Sequence, residues 1–226
     1  MAKPPKITVT KDGPYLVEGN LPLAHQHVVV NEQGESLDWR EGAAVAHSET
    51  YSLCRCGQSR SKPFCDGSHV RVRFDGAEAA SHKPYENQAK RFEGPAMVLE
   101  DAEPLCAFAR FCDPHGQIWS LVEKSDDAAA AKLVEAEAGH CPSGRLVAKR
   151  RGHALEPHFD PSLGLIQDTA QGVSGPIWVR GGVPVVPASG QAYEIRNRLT
   201  LCRCGASSNK PFCDGSHASV RFTDKN

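Results

Sequence analysis

Several features are scarce or missing in this chain of 226 residues. No apolar run approaches the roughly 20 residues that a membrane-crossing helix needs. The opening MAKPPKITVT has no apolar core of the kind an export signal carries. Both features lead to the expectation of a cytoplasmic protein with no membrane partner. An excess of one charge is also missing. The 26 Lys and Arg stand against 27 Asp and Glu, a formal net charge of −1, which gives no electrostatic reason to expect nucleic acid as a partner. There is no dinucleotide-binding glycine fingerprint, no P-loop and no Ser-His-Asp motif, and Arg180-Gly181-Gly182-Val183 is too short to count as one. No catalytic motif is found, so the chain is not read as an enzyme in its own right. Aromatic residues make up 7% of the chain, against 20 Gly and 16 Pro, which favours turns and short elements over long helices. Cores of that kind are often supplemented by bound metal.

Cysteine, by contrast, is abundant. The chain holds nine, an odd count in a sequence without an export signal, which favours reduced thiols and metal over disulfides. Six of them fall in two nearly identical stretches, CRCGQSRSKPFCDGSH from Cys54 to His69 and CRCGASSNKPFCDGSH from Cys202 to His217. Each reads Cys-x-Cys-x8-Cys-x3-His, four soft or borderline ligands suited to iron-sulfur or zinc. If the first pair lies on an extended strand, the single intervening residue points both thiolates to one side. The Asp-Gly-Ser that separates the last Cys from the His fits a tight turn entering a helix, with Gly67 and Gly215 as hinges. Asp66 and Asp214 are expected to cap that turn. Lys62 and Lys210 lie either in solvent or near the metal, where their charge would tune it.

KPFCDGSH, preceded at this spacing by CRCG, resembles the signature of the CDGSH iron-sulfur proteins, the mitoNEET-like group. The resemblance implies a [2Fe-2S] cluster in each copy, the CxC cysteines on one iron and the remaining Cys and His on the other. The ligands would be Cys54, Cys56, Cys65 and His69, then Cys202, Cys204, Cys213 and His217. It also implies a fold in which two such modules share strands across a two-fold axis. Here the duplication extends beyond the ligands, since GPYLVEGNLPL at Gly13 to Leu23 returns as GPIWVRGGVPV at Gly175 to Val185. The connection from this segment to the ligand loop is longer in the first copy. Two linked copies can satisfy each other's edge strands, so a monomer built as an intrachain pseudo-dimer is expected.

The fold expected is mainly β with a small α+β middle region, in three parts: residues 1–76, 77–171 and 172–226. Strands are read at ITVT, YLVEG, PL and His27–Val30, at Thr50–Leu53, and at Val70, Val72 and Phe74, which alternate with arginines. The stretch after Asn31-Glu32-Gln33-Gly34-Glu35 reads as a polar connection. In the middle region, Pro95–Leu99 and Gln117–Val122 read as strands. Ser125 opens a helix through AAAAKLVEAEA, with Gly139 as its terminal cap.

That helix leads to Cys141-Pro142, and Cys106-x5-Cys112 lies upstream. This arrangement resembles a divergent single-cluster ferredoxin domain, except that Ala109 stands where a ligand of the usual Cys-x2-Cys-x2-Cys run would be. Cys106, Cys112 and Cys141 form a candidate third site. Three thiolates could hold a three-iron cluster, or a four-iron cluster completed by Asp113, His115 or solvent, or the cysteines could merely pack as small apolar residues. The remaining histidines, including His25, His27, His153 and His158, have no ligand partners at motif spacing and read as surface residues.

The function expected is electron transfer or cluster transfer, with a redox protein or an apo-acceptor protein as partner. A relay subunit of a redox enzyme and a zinc-bound structural scaffold are the alternatives.

Overall fold

The computed structural model describes residues 3–224. The chain is mainly β. Strand β1 (Lys6–Val9) and β2 (Tyr15–Glu18) alternate buried and half-buried residues along their length, which is the pattern of a sheet with one face on the core. They are followed by β3 (Leu23–Val30), β4 (Ser36–Ala44) and β5 (Tyr51–Leu53), then by the single turn of helix α1 (Ser68–Arg71). The middle of the chain supplies β6 (Lys90–Glu93), β7 (Val98–Asp101), α2 (Ile118–Val122), α3 (Ala128–His140), β8 (Leu146–Arg150) and β9 (His153–Ala154). The last part consists of β10 (Ser162–Asp168), β11 (Val173–Arg180), β12 (Val185–Val186), β13 (Arg198–Leu201) and α4 (Ser216–Ser219).

Three sheets result, ordered β12-β1-β2-β5, β13-β11-β10-β3-β4 and β6-β7-β8-β9. The first two exchange strands. β12 crosses from the last part of the chain to run parallel to β1, with Ile7 opposite Val185 and the Ile7 N–H donating to the Pro184 carbonyl at 2.9 Å. In return β3 runs parallel to β10, with Leu23 opposite Leu163 and the Leu163 N–H donating to the Pro22 carbonyl at 2.8 Å. Pro22 and Pro184 hold the same place in the duplicated segment, and each is followed by the strand that leaves its own module. The exchange closes one shared core, in which Ile7, Val9, Val17 and Leu21 pack with Leu163, Leu165, Ile177, Val179 and Leu199. The intrachain pseudo-dimer is therefore the architecture. β10, which falls within residues 77–171, belongs to this exchanged sheet and not to the middle one.

Some segments differ from what the sequence suggested. Residues 36–44, read as a polar connection, form β4. It hydrogen-bonds to β3 and places Trp39 against Trp178 and Phe111, with ring centroids 4.8 and 4.7 Å away. The extra length of the first copy is thus a hairpin that reaches the middle region, where the Trp39 indole donates to the His140 carbonyl. Gln117–Val122 holds α2 instead of a strand, because Ile118, Leu121 and Val122 then share one buried face at helical spacing. Val70 and Val72 do not form a strand; the chain turns through α1, leaving them 73% and 42% exposed. Helix α3 starts later than Ser125. Asp127 is its N-cap and accepts the Ala130 N–H, whereas Ser125 bonds back to Ala96 and Met97.

Gly139 lies inside α3, which ends at Cys141 for a reason remote in sequence. The guanidinium of Arg198, 1% exposed, donates to the carbonyls of Ala138, Gly139 and Cys141 and pairs with Glu156. A buried cation thus satisfies the open carbonyl end of the helix and its dipole, the task a glycine cap would otherwise share.

Candidate metal centres

Each ligand loop is closed by backbone bonds that its own sequence dictates. Leu53 bridges Phe64, the Cys54 N–H donates to the Pro63 carbonyl at 2.8 Å, and the Cys65 N–H donates to the Ser52 carbonyl at 2.9 Å. The second loop repeats this at Leu201 and Phe212, with Cys202 to Pro211 at 2.8 Å and Cys213 to Thr200 at 3.0 Å. The Ser59 and Ser207 hydroxyls brace the loops from inside, donating to the carbonyls of Phe64 and Phe212. Asp66 accepts the N–H groups of Arg60 and Ser68, and Asp214 those of Ser208 and Ser216, which is the capping role expected of them. Those bonds hold the Asp66 carboxyl below the usual carboxylate range, the Arg60 N–H having the largest effect. Gly67 and Gly215 take the left-handed backbone at φ 83° and 86°, turning the chain so that the Cys and the His face each other.

The sulfurs of Cys54 and Cys56 lie 3.8 Å apart, and those of Cys202 and Cys204 3.7 Å apart. Strand β5 stops at Leu53, so a turn and not a strand directs both thiolates the same way. Two metal–sulfur bonds of about 2.3 Å at a tetrahedral angle would separate the sulfurs by about 3.8 Å. The second pairs are as close, with the Cys65 and Cys213 sulfurs each 3.4 Å from the Nδ1 of His69 and His217. Among the described residues, no three of the Cys, His, Asp and Glu side chains converge on a single ion position. The geometry is two plus two, and it fits a group with two metal atoms.

Local electrostatics divide the ligand thiols, lowering one cysteine of each CxC pair and raising the others. The bond shared within each CxC pair draws Cys54 and Cys202 down to about 6 against burial, aided by backbone N–H groups, and pushes Cys56 and Cys204 up, while burial pushes Cys65 and Cys213 up. N–H groups of Gln58, Gly67 and Gly215 point at the sulfurs of Cys56, Cys65 and Cys213 at 3.4 to 3.5 Å. The arginine between the two CxC cysteines is buried in both copies. Arg55 donates to the carbonyls of Thr10 and Gly76, and Arg203 to those of Gly175 and Ile166 while pairing with Asp224. Sequence reasoning gave these arginines no role, although their repetition within CRCG was the available signal.

The two loops touch. The backbone of Gly57, at φ 73°, lies so close to Cys204 that a methyl group there would collide with the Cys204 carbonyl, and one at Gly205 would come within 2.6 Å of the Cys56 carbonyl. Tyr15 adds a bond that only one loop receives. Its buried hydroxyl donates to the carbonyls of Cys202 and Pro211, and its counterpart in the duplicated segment, Ile177, has no hydroxyl.

In the middle region, Cys106, Cys112 and Cys141 line one small cavity, and Ala109 lines it too. The loop that carries them is forced into the left-handed region at Phe108 and Arg110, φ 53° and 62°, a strain that surrounding structure must hold in place. Arg110 is held by Asp168 at 2.6 Å. Burial, then Asp113 and Cys141, push the Cys112 thiol up. The three thiols share that cavity, though among the described residues no three such side chains converge on one ion position. Asp113 and His115, considered as a fourth, do not line the cavity, and His115 is bonded to Glu137 at 3.0 Å. Cys141 and Cys112 also pack on the apolar core of this region, so both roles considered for them have a structural basis. His25 and His27 are not simple surface residues: their rings lie against each other and His25 meets Gln167.

These centres belong to an iron-sulfur protein. Residues 12–70 and 174–218 match the family model described as iron-binding zinc finger CDGSH type, and residues 92–151 match that of a divergent 4Fe-4S mono-cluster. The chain is a tandem pair of CDGSH modules flanking a divergent ferredoxin-like region. Searches of curated proteins and of solved structures found no match.

Proposed function

We propose that each CDGSH loop holds a [2Fe-2S] cluster, Cys54 with Cys56 on one iron and Cys65 with His69 on the other, and likewise Cys202 with Cys204 and Cys213 with His217. The observation that carries this is the two-plus-two geometry, with partner atoms 3.4 to 3.8 Å apart in both copies. A zinc scaffold would need four ligands around one ion. We further propose a third cluster on Cys106, Cys112 and Cys141, with Ala109 leaving one ligand position open.

Bound in these sites, the clusters supply one-electron chemistry. The chain's part is to hold thiolates with aimed N–H groups, to offset their charge with Arg55 and Arg203, and to exclude water. The role is electron transfer or cluster transfer, in a monomer in the cytoplasm, toward a redox protein or an apo-acceptor. Electron transfer is favoured by contiguity: Gly57 meets Cys204, and Gly215 meets Phe108 and the Cys106 carbonyl, so the three ligand sets adjoin one another.

Iron and acid-labile sulfide analysis of anaerobically purified protein, with EPR of the reduced form, tests the reading. At least four irons and four sulfides per chain are expected from two two-iron clusters. Stoichiometric zinc without sulfide would overturn it.

A further inference from the structure

The two ligand loops are near-copies, so each is the other's control. At corresponding positions the first loop carries Arg60, Lys62, Val70, Arg71, Val72 and Arg73, and the second Ser208, Lys210, Ala218, Ser219, Val220 and Arg221. Four cations thus face two, and Val70 faces an alanine. The acidic residues do not cancel the difference. Asp66 is occupied by backbone N–H groups and Asp75 caps the Ala77 N–H. Among the described residues, Lys62, Arg71 and Arg73 have no carboxylate partner; Arg71 donates to the Ser68 hydroxyl at 3.1 Å.

Burial differs in the same direction. Val70 is 73% exposed and Val72 42%, against 54% for Val220 in the second loop, so the difference lies at Val70 and at the ligands, of which Cys65 and His69 are half-buried. In the second loop Cys213 and His217 are 2% and 4% exposed. The middle region covers that loop: Asn209 donates to the Pro104 carbonyl at 2.8 Å, the N–H groups of Ala79 and Ala80 both donate to the Lys210 carbonyl, and Phe108 lies over Gly215.

We propose that the surface formed by Val70 and Val72 within the cations Lys62, Arg71 and Arg73 is the docking site for an acidic redox protein. An exposed apolar pair ringed by unpaired charge is the composition of a transient interface, with an apolar centre and a rim that steers the encounter. The chain as a whole is close to neutral, so the cationic excess is local to this loop and selects a partner of negative charge. The second loop's ligands Cys213 and His217, covered by the chain itself, form the interior site. This inference rests on the proposed function only for the partner's being a redox protein; the surface itself does not depend on it.

The test is titration of full-length, cluster-loaded protein with a flavodoxin of strongly negative net charge, followed by calorimetry. Binding at low ionic strength is expected to weaken at least about tenfold as salt rises from about 0.02 to 0.2 M. The double variant Arg71→Glu/Arg73→Glu should lose at least about tenfold in affinity, and Val70→Ser, which leaves every charge in place, should also weaken binding. The matched Lys210→Glu/Arg221→Glu variant should change it by less than about twofold. No binding to flavodoxin, equal losses in the two double variants, or capture by anionic phosphatidylglycerol vesicles in preference to flavodoxin would each overturn the proposal. Iron and sulfide content of the same samples separates the two questions, because absent clusters with intact binding would refute the proposed function and leave the docking surface standing.

Discussion

Cys65 and His69 stand half-buried at the edge of the molecule, while Cys213 and His217, in the same eight-residue sequence KPFCDGSH, are nearly sealed. The loops share their closing backbone bonds, their capping aspartates and their ligand spacings, so the ligand motif itself does not explain the difference. It comes from what each loop meets: solvent in one case, and residues 79–80 and 104–108 in the other. A motif therefore determines how a metal is held, and its neighbours determine who can reach it.

The strongest way to break the comparison is Arg198→Ala. This residue ties the strand that leads into the second loop to the end of α3 and to Cys141. Its loss leaves Glu156 and several carbonyls without their partner and should cost about 3–5 kcal/mol. Thermal unfolding should show the drop, and cluster absorbance should fall at the second and middle sites more than at the first.

Glycine substitutions sharpen the contrast. Gly57→Ala sets a left-handed backbone against a collision with Cys204 and should cost about 3 kcal/mol. Gly67→Ala, which opens onto empty space, should cost only about 1 kcal/mol. Gly215→Ala meets Phe108 at 3.1 Å and should fall between them. Equal effects of Gly67→Ala and Gly215→Ala in denaturant titrations would mean that the middle region does not press on the second loop.

Acid should separate the copies as well. Burial, then Arg203, drives the His217 imidazole down to about 4. A group whose folded pKa is depressed resists protonation until pH falls through that lower value, and a protonated imidazole cannot ligate iron. His69 is half-buried where His217 is 4% exposed, so acid reaches the first site more readily and that site should bleach at higher pH than the second. A single acid transition in stopped-flow absorbance would contradict this ordering.

A small effect confined to one loop is expected from Tyr15→Phe. It removes the hydroxyl bonded to Cys202 and Pro211 and should cost about 1–2 kcal/mol, a loss the first loop does not share. Chelator-driven iron release should speed up at the second site alone.

Much of this was legible in the sequence because it is encoded locally. The ligand spacing, the left-handed glycines and the capping aspartates all lie within sixteen residues of one another, and the repeat of GPxxVxGxxP exposed the duplication behind the strand exchange. What stayed hidden depends on distant partners. Residues 36–44 look polar because β4 is an edge strand with one face in water, and its pairing is visible only once β3 is in place. Helix α3 ends where Arg198 meets it, 57 residues beyond Cys141, and no cap signal near Gly139 could reveal that. The third site was legible as three cysteines and no further, since the exclusion of His115 follows from its bond to Glu137.

The exchange of β3 and β12 also sets a timetable. While the chain is being synthesised, the edge of β1 stays open until Val185 has been added, more than a hundred residues after β5 is complete. At ribosomal rates of about 5–20 residues per second, the first module waits on the order of ten seconds as an unfinished sheet. Its cysteines are translated long before the loop that Gly57 touches exists, so the contact between the two loops is among the last to form.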